Sequence, residues 1–338
     1  MTGGAGFISA GAAGRLLAQS TRPLLMGHVE IDGDALGSAV ALLHAFRARG
    51  AAPRLVLHEP APRIFDFLLE AGDASVVDTG ADATAAMDER DLVIVLDNNS
   101  WARLGLMAPL LKATSLPVLC IDHHPCSTPF SAWHCLDTGA AATGVLVQEI
   151  LEALDWPVDE SAGDALYTAI VNDTGWFRWS NTDRRALEAA ARLVSVGARP
   201  ARVAAFVMLR ESLAAKKLLA RFLDTVTLTE DGRIATGFVT REMFASTGAL
   251  REDSEDLVNH LRALEGVAIA VFLREDADGV KLSFRTRAPF SARALALQFS
   301  GGGHEQAAGG RHDGSLATAL EEAQGFAKQS LSHAAVRG

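Results

Sequence analysis

The sequence lacks several features that define common classes of protein. It contains 3 cysteines among 338 residues, too few for the disulfide framework of a secreted domain. No segment approaches the roughly 20 consecutive apolar residues that cross a bilayer, and the first residues do not combine a charged region with an apolar stretch. We therefore expect a cytoplasmic protein in a reducing compartment, with no membrane as a partner.

An excess of positive charge is also missing. The chain carries 31 lysine and arginine residues against 41 aspartate and glutamate residues, for a formal net charge of -10. A surface without a general basic character cannot hold long duplex nucleic acid by releasing counterions. Any polyanionic ligand must therefore be short and bound locally.

Apolar residues, by contrast, are abundant. Hydrophobic residues make up 49% of the chain, enough for a large core and two domains. From Arg22 to about Ser195, short apolar runs alternate with helical stretches, as in βαβ units, and this pattern breaks at Gly197–Pro200. The fold expected is α/β, with a parallel-sheet domain over residues 1–195, a helical linker over 196–225 and a smaller mixed α/β domain over 226–338.

Periodicity and turn residues place the individual elements. In the first domain they predict strands at Leu24–Met26, Arg54–Leu57, Leu92–Leu96 and Val118–Ile121, and helices at Ala35–Phe46, Thr143–Leu154, Ala162–Val171 and Arg185–Val194. In the second domain they predict strands at Asp224–Thr229, Ile234–Thr240, Val267–Arg274 and Gly279–Thr286.

The most informative feature is a run of ionisable residues, Asp122, His123 and His124, directly after the apolar run Leu116–Ile121. Polar groups beside a buried strand are costly unless a metal or an ionic ligand compensates them. Acidic clusters follow three other apolar runs, and we treat all four as equivalent strand ends, where sites form in an open parallel sheet. The other clusters contain His28, Asp32 and Asp34, then Asp97, and then Asp173.

Together these residues predict a site for two metal ions. Carboxylates with a minority of imidazoles suit Mn²⁺, with Mg²⁺ as second choice, better than a metal that prefers thiolates. Six ligands exceed the needs of one open catalytic site, so we expect two ions that share a carboxylate. A single aspartate after a strand is usually a helix cap or a turn residue, but that explanation is improbable for four clusters jointly. The predicted ligands are His28, Asp32, Asp34, Asp97, His123 and Asp173.

Two other interpretations are weaker. Cys120, Cys126 and Cys135, with the neighbouring histidines, offer soft ligands for structural zinc, but they lack the spacing of a zinc site. The segment Thr2–Ile8 is similar to a dinucleotide-binding glycine loop, but that motif needs a strand before it and a helix after it. We interpret this segment as an N-terminal lead-in.

A glycine motif near the end of the chain is the second strong signal. Gly301, Gly302 and Gly303 can present backbone N–H groups to an anion, and His304 adds a side-chain donor. Such runs are usually flexible surface turns, so the motif alone is open to both interpretations. Two arginines on one face of a predicted strand strengthen the case for an anion, although one of them can simply face solvent. These arginines are Arg285 and Arg287.

The order and spacing of these motifs resemble a known family. His28-x3-Asp32-x-Asp34, Val95-Leu-Asp97, Asp122-His123-His124 and Asp173-Thr-Gly175 look like the four motifs of the DHH phosphoesterase superfamily, which includes RecJ-like enzymes. The glycine motif resembles that of the DHH-associated C-terminal domain. Together the motifs cover residues 28 to 309. One departure is Ile31, where the family often has proline, and this change leaves the ligands intact.

The resemblance implies an active-site cleft between the two domains and a role for each residue. His28, Asp32 and Asp97 would hold one Mn²⁺, and Asp34, Asp97, His123 and Asp173 would hold the other. His124 would contact the phosphoryl oxygen or protonate the leaving group. Asp122 would orient a histidine. Arg103 matches a substrate-binding position of the family, or pairs with a nearby acid.

The resemblance also implies the reaction. We expect a Mn²⁺-dependent phosphoesterase of the bifunctional oligoribonuclease and pAp phosphatase type. It would cut short RNA to mononucleotides, and pAp to AMP, by two-metal activation of the water that attacks phosphorus. A cyclic dinucleotide phosphodiesterase acting on c-di-AMP or pApA is the alternative, and a nucleotide-binding regulatory protein without turnover is a third hypothesis. The family resemblance further suggests a homodimer.

Overall fold

The computed structural model describes residues 6–126, 130–229 and 231–335. The chain forms two compact units, Met1–Arg210 and Glu211–Gly338. The boundary falls inside residues 196–225, for which the sequence pattern predicts a helical linker, and a helix lies on each side of it. Among the described residues, none of the helices combines the length and apolar character needed to cross a membrane.

A parallel sheet forms the centre of the first unit. Its strands are β1 (Gly6–Phe7), β2 (Pro23–Met26), β3 (Arg54–Leu57), β4 (Ala74–Val76), β5 (Leu92–Leu96), β6 (Val118–Asp122) and β7 (Trp133–Leu136). They lie in the order β1-β7-β6-β5-β2-β3-β4, and every pairing is parallel. The central strands β2, β5 and β6 are buried along their whole length, as expected for strands covered on both faces.

Helices cover this sheet. They are α1 (Ala10–Gln19), α2 (Gly33–Ala48), α3 (Gly80–Met87), α4 (Met107–Ala113), α5 (Thr143–Ala153), α6 (Glu160–Asp173), α7 (Arg184–Ser195) and α8 (Pro200–Val207). Helix α2 is buried on nearly all sides. It approaches α6 closely because Gly37 has no side chain, and an added Cβ would overlap the carbonyl oxygen of Ala165.

The second unit contains a mixed sheet. Its strands are β8 (Thr227–Leu228), β9 (Ile234–Val239), β10 (Ile269–Asp276), β11 (Gly279–Thr286), β12 (Gly302–Gly303) and β13 (Ala307–His312), and its helices are α9 (Leu213–Leu223), α10 (Arg241–Thr247), α11 (Leu257–Arg262), α12 (Ala292–Leu297) and α13 (Leu316–Ala335). The strand order is β12-β13-β11-β10-β9-β8, with β9 and β10 parallel and the other pairs antiparallel. Apolar clusters pack on both faces, one against α9 and α11 and the other against α12 and α13. The predicted α/β class is confirmed in both units.

Two details differ from the expectations. Asp173 is the last residue of helix α6, so the treatment of all four clusters as strand ends is wrong for this residue. Residues 2–5 of the glycine-rich lead-in lie outside the described residues, whereas Gly6–Phe7 form an edge strand paired with β7. A strand therefore follows these glycines, in contrast to a dinucleotide-binding loop, where a strand precedes them.

Candidate metal centre

The first acidic cluster lies between strand β2 and helix α2. His28 follows the end of β2, and Asp32 caps α2 by accepting hydrogen bonds from the backbone N–H groups of Asp34 and Ala35 at 3.1 and 3.0 Å. Asp34 lies in the first turn of the helix. A helix N-terminus stabilises carboxylates through its unpaired N–H groups and its dipole, which explains how this segment tolerates two of them.

The next two clusters follow neighbouring strands. Asp97 comes directly after β5 with a φ of 55°, a left-handed conformation that aspartate tolerates better than most residues. Asp122 ends β6, and His123 and His124 follow it. Because β2, β5 and β6 are adjacent and parallel, their carboxyl ends bring these side chains to one edge of the sheet.

Asp173 reaches the same place from the end of α6. Its carbonyl oxygen accepts a hydrogen bond from Nδ2 of Asn181 at 2.8 Å, and the same amide donates to the carbonyl of Ala141 at 3.1 Å. A left-handed turn follows, with φ values of 54°, 59° and 60° at Gly175, Trp176 and Phe177. Such strained backbone persists only where surrounding contacts fix it, and it is common at functional sites.

One group of potential ligands surrounds His28. Its Nε2 lies 3.7 Å from Oδ2 of Asp32 and 3.6 Å from Oδ2 of Asp97. Its Nδ1 lies 2.7 Å from the carbonyl of Val29, so Nδ1 carries a proton, and loss of the second proton from Nε2 leaves a lone pair directed toward the carboxylates. This Nε2 is buried without a hydrogen-bond partner among the described residues. A cation between these atoms would satisfy all three groups.

Arg103 also contacts His28, since its guanidinium lies 2.8 Å from the same Nδ1. One ring nitrogen cannot both donate to a carbonyl and accept from a guanidinium. We assign the hydrogen bond to the Val29 carbonyl because a proton on Nδ1 leaves Nε2, which faces Asp32 and Asp97, as the nitrogen that can bind a cation. Arg103 thus brings a positive charge to the edge of the centre.

A second group of potential ligands surrounds His123. Its Nε2 lies 3.1 Å from Oδ2 of Asp173, 3.5 Å from Oδ1 of Asp97 and 3.7 Å from Oδ2 of Asp34. Its Nδ1 lies 3.1 Å from the carbonyl oxygen of Ala140, which fixes the tautomer as in His28. A histidine held through Nδ1 by a backbone carbonyl is the usual arrangement for a metal ligand that uses Nε2.

Asp97 lies between the two groups. Its Oδ2 faces His28 and its Oδ1 faces His123, so one carboxylate belongs to both. One ligand atom each from His28, Asp32 and Asp97 lie within 4.8 Å of one another, and so do one each from Asp34, His123 and Asp173. Asp97 joins the second set through its 3.5 Å approach to His123. A carboxylate shared in this way is what a two-ion centre requires.

Asp122 and His124 form a separate pair. One carboxylate oxygen of Asp122 accepts from both the backbone N–H and Nδ1 of His124, at 3.0 and 2.8 Å. Its other oxygen, Oδ2, is buried and has no hydrogen-bond partner among the described residues. Nδ1 of His124 is also 3.4 Å from Asp97. Asp122 therefore fixes the orientation of the His124 ring.

The charges of the centre are strongly coupled. Burial lowers the pKa of each imidazole, but the surrounding carboxylates more than offset it and raise the pKa of His28 and His123 to about 10 and that of His124 to about 11. Burial and the nearby Asp97 and Asp173 raise the pKa of Asp34 well above its usual range. The pKa values of all four groups are raised, so each holds its proton more tightly, which indicates a buried cluster with excess negative charge that divalent cations would neutralise.

The donor set suits an oxygen-preferring divalent ion. The two groups comprise four carboxylates and two imidazoles, a chemistry that favours Mn²⁺ or Mg²⁺ over thiophilic metals. Among the described residues, no group of potential ligands contains a cysteine, and Cys120 donates to the carbonyl of Asn98 at 3.4 Å. The zinc interpretation, which depends on the three cysteines, therefore finds no cluster that contains them in the described part of the chain.

Thr143 is a residue of this centre that the sequence motifs do not identify. Its hydroxyl donates to Oδ1 of Asp97 at 2.9 Å, and its backbone N–H donates to Oδ2 of Asp34 at 2.6 Å. The one available signal is the absence of a capping side chain at Ala142, before helix α5. A helix without its own cap needs acceptors from elsewhere in the chain.

The residues predicted to bind substrate in the second unit have varied environments. Arg285 is half-buried on β11 and donates to the carbonyl of Phe284 at 3.0 Å, while Arg287 is exposed beyond the strand end. Gly302–Gly303 form strand β12, and the N–H of Gly301 donates to the carbonyl of Ala296 at 3.0 Å. The N–H of His304 donates to the carbonyl of Ala307 at 2.8 Å. Two amides of the predicted anion cradle are therefore engaged within the unit.

Comparison with known families matches both units. Residues 23–170 match the N-terminal domain of the DHH family, and residues 234–332 match the DHHA1 domain. The chain is 31% identical over 286 residues to the bifunctional oligoribonuclease and PAP phosphatase NrnA of Thermus thermophilus, covering 83% of this chain and 81% of that protein. It is 28% identical to the protein of the same name from Bacillus subtilis, covering 85% and 88% of the two chains.

Other proteins are similar to most of this chain. The cyclic-di-AMP phosphodiesterase GdpP of Geobacillus thermodenitrificans is 28% identical over 86% of this chain, but the match covers 44% of that protein. The structure of an exopolyphosphatase-related protein from Bacteroides fragilis aligns with a TM-score of 0.87 at 24% identity, covering 96% of this chain and 95% of that one. The structure of exonuclease RecJ bound to manganese aligns with a TM-score of 0.52 at 16% identity, covering 94% and 93% of the two chains.

Proposed function

The chain belongs to the DHH family, and we propose that it is a metal-dependent phosphoesterase that hydrolyses short oligoribonucleotides to mononucleotides and pAp to AMP. The observation that carries this proposal is the position of Asp97, whose two carboxylate oxygens face the ligands around His28 and those around His123. The bifunctional relatives, matched over more than four-fifths of each chain, support the choice of substrates.

We propose that His28, Asp32 and Asp97 hold one divalent ion, and that Asp34, Asp97, His123 and Asp173 hold the other. Mn²⁺ fits the mixture of carboxylates and imidazoles best, with Mg²⁺ as the alternative. Such ions supply Lewis acidity at the phosphoryl group and lower the pKa of bound water. The backbone fixes the orientation of His28 and His123, because the carbonyls of Val29 and Ala140 accept hydrogen bonds from their Nδ1 atoms.

His124 is our candidate for the group that faces the substrate. Burial lowers the pKa of His124, but the neighbouring carboxylates of Asp122 and Asp97 outweigh this effect and raise it to about 11. In the protein without metal it is therefore an imidazolium at neutral pH, and in the proposed role the ring donates a hydrogen bond to a phosphoryl oxygen or a proton to the leaving oxygen. Asp122 holds the ring for this role, and the Arg103 guanidinium adds positive charge beside His28.

In the second unit, we propose that Arg285, Arg287 and the motif Gly301–His304 bind substrate phosphates. Burial and, to a smaller extent, the positive charge of the nearby Arg262 lower the pKa of Arg285 to about 10. Its Nε is buried without a hydrogen-bond partner among the described residues. A crowded, partly desolvated guanidinium of this kind is compensated well by a bound anion. The exposed Gly302 and Gly303 permit close approach of a ligand to the backbone.

Hydrolysis of a cyclic dinucleotide is the competing function. The bifunctional relatives match over more than four-fifths of both chains, whereas the cyclic-di-AMP phosphodiesterase matches over less than half of its own length. Oligoribonucleotide and pAp hydrolysis is therefore the better-supported function.

A substrate comparison tests this proposal. Purified protein is incubated with Mn²⁺ and, separately, pAp, pApA, a four-nucleotide RNA, c-di-AMP or pyrophosphate, with chelator as the control. We expect metal-dependent release of mononucleotides from the RNA and of AMP from pAp, both faster than cleavage of c-di-AMP. Preferential cleavage of c-di-AMP would favour the competing function, and no hydrolysis of any compound would favour a regulatory nucleotide-binding protein.

A further inference from the structure

Helix α5 begins without a cap of its own. The residue before it, Ala142, makes no side-chain hydrogen bond to the first turn, although the first N–H groups of a helix need acceptors when buried. The Asp34 carboxylate supplies them: Oδ2 accepts from Thr143 N–H at 2.6 Å and Oδ1 from Gly144 N–H at 2.8 Å. Helix α5 is therefore joined to a carboxylate from helix α2.

The hydroxyl of Thr143 contacts a second carboxylate. It is fully buried and donates to Oδ1 of Asp97 at 2.9 Å. Because an ionised carboxylate only accepts, the direction of this hydrogen bond is fixed. The nitrogens of His28, His123 and His124 lie farther from Asp97, at 3.4 to 3.6 Å, so the hydroxyl constrains the carboxylate more tightly than they do.

Packing fixes the position of Thr143 itself. The next residue, Gly144, lies against Ala169 of helix α6, and an added Cβ there would overlap the Cβ of Ala169. The beginning of α5 therefore cannot move toward α6 to relieve a lost contact. A change in the side chain of Thr143 would act on Asp97 rather than shift the helix.

We propose that Thr143 is a positioning residue that sets the metal affinity of the centre. Its hydroxyl orients Asp97 so that one oxygen faces each group of ligands, and its N–H holds Asp34. This inference rests on the proposed function, since it assigns Thr143 a role toward the same two ions. Loss of a partner that orients a ligand typically weakens metal binding by about 10- to 100-fold.

The experiment separates the hydroxyl from the rest of the side chain. Thr143→Val keeps the shape and the backbone N–H but removes the donor, whereas Thr143→Ser keeps the donor. Thr168→Val is the matched control, because Thr168 is equally buried and its hydroxyl donates to the carbonyl of Asp164 at 2.7 Å within helix α6. Mn²⁺ affinity is measured by calorimetry on chelator-treated protein, and the fold of each variant by circular dichroism.

We expect Thr143→Val to bind Mn²⁺ about 10- to 100-fold more weakly, and Thr143→Ser and Thr168→Val to bind within about threefold of the unmodified protein. The proposal is overturned by normal affinity in Thr143→Val, by equal loss in Thr143→Ser, or by equal loss in Thr168→Val. Unmodified protein that binds Mn²⁺ but hydrolyses neither RNA nor pAp would contradict the proposed function alone, because the affinity comparison does not depend on turnover.

Discussion

The carboxylate of Asp97 faces three imidazole nitrogens, at 3.6 Å for His28, 3.5 Å for His123 and 3.4 Å for His124. In the protein without metal, the imidazoles carry protons that hold the pKa of Asp97 well below its usual range, against the effect of burial. Cations bound between the same groups would replace those protons. Protons and metal ions therefore compete for this centre.

This competition predicts how metal affinity depends on pH. The pKa of His28 and of His123 is raised to about 10, and each must lose its proton to become a ligand. Binding of Mn²⁺ should release protons at neutral pH, and affinity should rise about tenfold per pH unit for each proton displaced, up to about pH 10. Calorimetry in buffers of different ionisation enthalpy measures the protons released. Heats that do not depend on the buffer would contradict the prediction.

The same raised pKa values predict the opposite pH dependence for the stability of the metal-free protein, which should fall as the pH rises. A histidine with a raised pKa stabilises the fold fully below its unfolded value, about 6.5. That contribution is lost as the pH rises toward 10, the value for His28 and His123. Metal binding should therefore stabilise the protein most at alkaline pH, where the imidazolium protons no longer compensate the carboxylates.

At the residue scale, motif spacing predicts much of the centre but not all of it. The spacing of His28, Asp32 and Asp34 indicates ligands that converge, and the structure brings these side chains to the same edge of the sheet. Thr143 is different, because it acts through a contact with Asp97, 46 positions away in the sequence. The missing capping side chain at Ala142 does not point to Asp97, so this contact emerges only from the fold.

At the scale of elements, close packing of helices places the ligands. Helix α2 carries Asp34 and helix α6 ends at Asp173. The two helices approach each other at Gly37, where an added Cβ would overlap the carbonyl oxygen of Ala165. Because backbone cannot yield as a flexible side chain can, even a methyl group at this position should force the helices apart.

Gly37→Ala should therefore destabilise the protein by roughly 1–3 kcal/mol, the usual cost of overpacking, and should weaken Mn²⁺ binding. Gly325→Ala is the matched control, because it lies in helix α13 with no atom within 4 Å of an added Cβ. Alanine there should stabilise the helix by roughly 0.5–1 kcal/mol. Chemical denaturation measures both changes. Equal stability of the two variants would refute the role of Gly37 as a contact between helices.

The elements that sequence patterns predict best are the buried ones. Strands Arg54–Leu57, Leu92–Leu96 and Gly279–Thr286 have the predicted bounds, because long apolar or alternating runs leave few alternatives. The edge strands Gly6–Phe7 and Ala74–Val76 have no such pattern. Their pairing depends on the neighbouring strand more than on their own residues, so a local pattern does not predict them.

At the scale of the whole molecule, two units carry the two family motifs. The DHH match lies within the first unit and the DHHA1 match within the second. The sequence motifs predict this family and the α/β fold. They do not distinguish oligoribonucleotides from cyclic dinucleotides, because more than four-fifths of the chain is similar to proteins named for each of these activities. The relative rates of hydrolysis of the candidate substrates are therefore the measurement that identifies the preferred one.

The central claim is that two divalent ions bound around Asp97 support hydrolysis, and a metal titration tests it most directly. Mn²⁺ is added to chelator-treated protein while the rates of pAp and four-nucleotide RNA hydrolysis are followed, with Asp97→Asn as the control that weakens both groups of ligands. We predict rates that rise until about two ions per chain are bound, as in two-metal sites, and an inactive Asp97→Asn. Activity that does not depend on metal, that is complete at one ion per chain, or that persists in Asp97→Asn would contradict the account.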